Sequence, residues 1–143
     1  MRAAGLAPGA LKADQPLAGA LLSVHESALA LYLPVDEAPR GCFLIGTALG
    51  ESRGDAKVRE KLANGLNTFD AAFERRFKRA KAQGELDAAA NPAALAKVAS
   101  AILHSLALRS RAGDSRESPG ATAKAGIALI CAAVCQASGD ANP

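Results

Sequence analysis

Six side chains in this 143-residue chain have the chemistry of a site: the imidazoles of His25 and His104, the thiols of Cys42, Cys131 and Cys135, and the single phenol, Tyr32. A metal centre needs several ligands at close spacing, and no cluster of His, Cys, Asp and Glu supplies them. Cys131 and Cys135 stand four apart on one helical face, which two small buried thiols explain better than chemistry does. Cys42 has two readings, a redox-sensing thiol or a thiol buried beside Phe43 and Leu44, and burial is preferred. Nucleophilic catalysis needs a base held against its nucleophile. The adjacent pair His25 and Glu26 points in two directions on a helix. Gly41 to Gly46 lacks both the lysine of a phosphate loop and the third glycine of a dinucleotide turn. No enzyme, metal or cofactor is therefore expected. His25 and His104 keep two readings: satisfied core or surface histidines, or polar contacts in an apolar pocket.

The elements that carry these residues read as helices. Half of the chain is apolar, yet it has only four Phe, one Tyr and no Trp, so the core must be built from Ala, Leu, Ile and Val. Ala and Leu lead the helix propensities, and β-formers are scarce. The length suits one domain. With 17 basic and 14 acidic residues the charges are mixed, a solubility surface and not a nucleic-acid footprint. The dense cluster Arg75, Arg76, Lys78, Arg79 and Lys81 is read as the solvated face of a helix. The odd cysteine count fits reduced thiols in a cytoplasmic protein. Lys12, Asp14 and Pro16 interrupt the apolar stretch that a signal peptide would need. The longest apolar run, Ala125 to Cys135, is far short of the ~20 residues that cross a bilayer.

Residues 1–15 read as a loose lead-in. From Pro16, the residues Leu17, Leu21, Val24, Ala28, Leu31 and Tyr32 recur at helical steps, and the helix ends before Pro34. Arg40 to Leu49 is a compact apolar stretch, assigned as helix because no partner strand is in view. Asp55 caps a long amphipathic helix whose stripe is Val58, Leu62, Leu66, Phe69, Phe73 and Phe77, with Lys57, Arg59, Lys61, Arg75, Arg76 and Lys78 opposite, stopped by Gly84. Asn91-Pro92 opens the next helix, with one apolar face through Leu95, Val98, Ile102 and Leu106, a second through Ala99, Leu103 and Ala107, and a stop at Gly113. The last helix starts at Ser115 or Ser118 and is apolar on nearly every side after Lys124. Two final helices with more apolar surface than a five-helix chain can cover predict a twofold homodimer closed by an intermolecular four-helix bundle. Leu103, Leu106, Ile127, Ile130 and Val134 are the expected interface. The inward residues of the first, third and fourth helices, His25, Leu29, Tyr32, Phe69, Phe73 and His104, are the best pocket candidates, although for Phe69 and Phe73 individually plain core is the preferred reading. A buried Tyr32 hydroxyl needs a partner.

Pro39-Arg40-Gly41-Cys42-Phe43-Leu44 resembles a helix opening common in the tetracycline-repressor (TetR) family. The likeness continues in order through Asp55, Val58 and Arg59, then Gly84-Glu85-Leu86, Asn91-Pro92, Leu95-Ala96, Leu106-Ala107-Leu108, Arg111-Ala112-Gly113 and Ser115-Arg116-Glu117, covering about residues 16–135. The resemblance implies an all-α C-terminal domain, here 16–137 with a tail over 138–143, that binds a small hydrophobic or amphipathic effector and dimerises through its last two long helices. Family members carry about fifty N-terminal residues forming a helix-turn-helix. With fifteen residues ahead of the first matched helix, DNA contact is expected only through a head missing from this chain. The alternative is a pure dimerisation module with no ligand pocket.

Overall fold

The structure, a computed structural model, describes residues 11, 14–38, 40 and 42–135, the side chains at 43, 47–49 and 133–135 excepted. Most of the expected lead-in and the whole tail lie outside the described residues, as do the side chains of Phe43, Val134 and Cys135. Among the described residues there are five helices and no strand: α1 (Leu17–Tyr32), α2 (Phe43–Glu51), α3 (Ala56–Ala82), α4 (Pro92–Ala112) and α5 (Glu117–Cys135). This is the all-α bundle expected from composition.

Local chemistry sets the ends. Asp55 accepts from the Lys57 and Val58 amides and starts α3, and Asn91 accepts from Ala93 and Ala94 with Pro92 just inside α4. Both long helices stop in the same way. The Glu85 amide donates to Ala80 and the Asp114 amide to Arg109, each just after a glycine with φ of +75° or +90°, a left-handed turn that a side chain disfavours.

Helix α4 is the hub, packing against α3, α5, α1 and α2. The core between these helices holds Leu21, Val24 and Ala28 from α1, Phe73 and Phe77 from α3, Leu103, Leu106 and Ala107 from α4, and Ile127 and Ile130 from α5. Each large apolar side chain removed from water in this way contributes about 1.5–3 kcal/mol. Helix α5 lies close against α4 at Gly126, where a Cβ would run into the Ile102 side chain. The Arg116 guanidinium donates to the Leu33 carbonyl, tying the start of α5 to the end of α1.

Three sequence expectations need correction. Leu31, placed on the apolar stripe of α1, is exposed, whereas Leu29 is buried as expected. Arg76, assigned to a solvated face, is buried at 3 % exposure, while Arg75, Lys78 and Arg79 around it are exposed. Its Nη2 donates to the Gln15 carbonyl at 2.8 Å and to Glu85 Oε1 at 3.1 Å. The other carboxylate oxygen of Glu85 accepts from the Leu17 amide at 2.6 Å, capping α1, whose own N-cap residue, Pro16, provides no side-chain cap. The buried arginine thus locks the entry to α1 onto α3.

Thirdly, Leu103, Leu106, Ile127 and Ile130 belong to the chain's own core and are not a free surface. The apolar surface left outside is made of smaller residues. On α4 it is the strip Ala94, Val98, Ala101, Ser105, Leu108 and Ala112, and on α5 it is Ala121, Ala125, Ala128, Leu129 and Ala132, all exposed apart from half-buried Ser105. Both strips follow mainly helical steps of three and four, with exposed Lys97 and Arg109 flanking the first and exposed Lys124 flanking the second.

Candidate functional site

Four of the six sequence-predicted pocket residues meet where α1, α3 and α4 come together. His25 is wholly buried on α1, with its ring 5.8 Å from that of Phe73 on α3. One turn before Phe73, the Phe69 ring stands edge to face with His104 of α4, centroids 5.4 Å apart. The other two face elsewhere. Leu29 points to α5 beside Gly120. Tyr32 is seven residues beyond His25, about 10 Å along the helix axis, and its hydroxyl shares a hydrogen bond with Cys42. Burial pushes the Tyr32 phenol far above its ordinary range, and the neighbouring thiol adds to the shift. Cys42, for which burial is the preferred reading, packs against the core but is only half-buried.

Burial disfavours charge on both imidazoles of the site. Burial lowers the His25 pKa, with the backbone carbonyls of Leu21 and Ala99 opposing it. Its Nδ1 lies 2.7 Å from the Leu21 carbonyl and its Nε2 3.3 Å from that of Ala99. A neutral imidazole has one proton for these two acceptors, and the shorter contact is where it forms the better bond. Burial also lowers His104, against the pull of the Asp70 carboxylate. Asp70 is itself engaged by Lys97 at 3.4 Å.

Two polar atoms in this region have no hydrogen-bond partner: the Ser100 hydroxyl and Nε2 of His104. Ser100 is buried and stands one turn before His104 on α4. Lys97, Ser100 and His104 form one strip of α4, and its two ends reach α3 at Asp70 and Phe69. The unpartnered pair therefore shares the strip of α4 that meets α3, with His104 against the Phe69 ring. Sequence reading missed Ser100. The available signal was a hydroxyl residue inside an otherwise apolar strip, four before a histidine on the same helix. No group of three or more metal-ligating residues occurs among the described residues, and none of their helices is long and apolar enough to cross a membrane.

A family model described as "Tetracyclin repressor-like, C-terminal domain" matches residues 19–125. Comparison with curated proteins and with solved structures gave no match.

Proposed function

The chain belongs to the family of tetracyclin repressor-like C-terminal domains, and from that premise we propose that it is the effector-sensing and dimerising part of a bacterial transcriptional regulator, a repressor, acting in the cytoplasm. The observation that carries the sensing half is the junction of α1, α3 and α4. There two phenylalanines and two imidazoles converge with the Ser100 hydroxyl, and the Ser100 Oγ and the Nε2 of one of those imidazoles, His104, lack partners. An apolar setting with a few convergent polar groups is what a small-molecule site requires. An effector entering there changes how α3 sits against α1 and α4, a population shift between two packings. In an intact regulator, DNA-reading heads joined to the domain would change their spacing.

The dimerising half is supported by the uncharged strips on α4 and α5. Paired about a twofold axis, these helices would form an intermolecular four-helix bundle. Thermal unfolding of the purified chain with a panel of small apolar and amphipathic molecules tests the sensor. A binder present at a hundredfold excess over its Kd stabilises the fold by about 2.7 kcal/mol, a shift on the order of 10 °C in a domain of this size. If no member of a broad panel moves the midpoint, the domain is a dimerising module without a sensor.

A further inference from the structure

We infer that the effector of this site is a neutral, weakly polar molecule bearing one hydroxyl on an aromatic or similarly apolar body, and that the Ser100 hydroxyl and His104 Nε2 together bind that hydroxyl. The inference rests on the sensor reading above and gives its ligand a chemistry. Ser100 and His104 are one turn apart on the same face of α4, so their Cβ atoms are about 5–6 Å apart and a single oxygen can reach both. The serine both donates and accepts, and a neutral imidazole offers Nε2 as the complementary partner. An effector hydroxyl thus donates to one and accepts from the other, satisfying two buried atoms that have no partner in the protein. The body of the effector rests against Phe69 and Phe73, whose rings already engage the two histidines.

Charge decides against the other small-molecule classes. A carboxylate would be desolvated here. Among the cations of the described residues near the site, Lys97 is exposed and paired with Asp70, and Arg76, one turn beyond Phe73, already has its carboxylate in Glu85, its Nη2 donating to Glu85 and Gln15 while its Nε and Nη1 have no partner. A cation would find Asp70 already engaged by Lys97 and would face two imidazoles, which lack negative charge in either protonation state.

Four near-isosteric probes, toluene, phenol, benzoate and benzylamine, titrated into the 15N-labelled chain and followed by NMR, separate these possibilities. Phenol is expected to bind on the order of tenfold more tightly than toluene and to shift the amides around Phe69, Ser100 and His104. In Ser100→Ala and, independently, His104→Phe, phenol is expected to fall to within about twofold of toluene while toluene itself still binds. Toluene binding at these residues without a phenol advantage, or an advantage that survives in both variants, overturns the hydroxyl assignment and leaves the sensor reading standing. Tighter binding of benzoate or benzylamine than of phenol also overturns it. Absence of binding by all four probes, alongside a negative ligand panel, overturns the pocket and the inference together.

Discussion

Ser100 is buried, and its Oγ meets no acceptor or donor. Such a group loses its bonds to water on folding and regains none, a penalty of about 1–3 kcal/mol. Alanine has no such penalty and leaves only a small gap. Ser100→Ala is therefore expected to raise the stability of the ligand-free domain by about 1 kcal/mol, read from the midpoint of denaturant unfolding at an unchanged slope. A core serine kept at the expense of stability is what a binding residue looks like, and a destabilised alanine variant would argue against that view. The two histidines make a second prediction. Burial lowers both pKa values below the ordinary 6.5, so between the folded and unfolded values the unfolded chain binds more protons. Stability therefore falls as pH drops below about 6.5 and is insensitive to these rings above it. Unfolding midpoints measured from about pH 7.5 down to about 5.5 should decrease through this interval, with a shallower decrease in His25→Gln. A flat profile would mean that the rings are solvated, and a rising one that a carboxylate such as Asp70 outweighs burial.

Between residue and fold stands the contact among Arg76, Glu85, Gln15 and Leu17, which joins the start of α1 to α3 and to the turn after it. Removing one partner of a buried ion pair is worse than replacing the buried charge with an apolar isostere. Glu85→Ala uncaps α1 and leaves a buried guanidinium without its anion, an expected loss of about 2–4 kcal/mol. Arg76→Met keeps the packing and the Glu85 cap, and is expected to cost less than about 1.5 kcal/mol. Equal losses, measured by calorimetry, would show that the contact serves only as packing. This element is also where sequence reading failed. The boundaries of α3 and α4 were legible because caps and stops act locally: Asp55, Asn91-Pro92, Gly84 and Gly113 set them with no help from the rest of the fold, whereas α2 and the start of α5, which lack such signals, were placed less closely. The inward stripe of α3 could be read for Phe73 and Phe77 from spacing alone. Arg76 lies on the flank of that stripe, and its burial depends on Glu85 and Gln15 arriving from elsewhere, which no periodicity encodes. The site was legible to a similar depth. His25, Phe69, Phe73 and His104 come together because all four face inward, whereas Leu29 and Tyr32 were assigned to the same place before the direction of α1 across α3 and α5 was known.

At the scale of the whole molecule, the same limit bears on the proposed pairing of two copies. Counting the greasiest residues of the last two helices selected Leu103, Leu106, Ile127 and Ile130, but a folding chain uses its bulkiest apolar residues to fill its own interior first. The surplus is therefore found in the small residues left outside, and the two uncharged strips of α4 and α5 place Val98, Ala101, Leu108 and Leu129 in water. Alanine-rich faces let helices approach to the short end of the usual 8–10 Å packing distance. A stable association of this kind removes about 800 Å² of surface from each partner. Glutamate at the centre of either strip should prevent that association without touching the core, because the substituted positions are exposed in the single chain. Ala101→Glu and Leu129→Glu are accordingly expected to keep the helical circular dichroism of the parent. In analytical ultracentrifugation at micromolar concentration they should sediment at 14.5 kDa, whereas the parent should sediment at twice that mass. A parent that is monomeric throughout, or variants that still pair, would mean that α4 and α5 are not where this domain meets its copy.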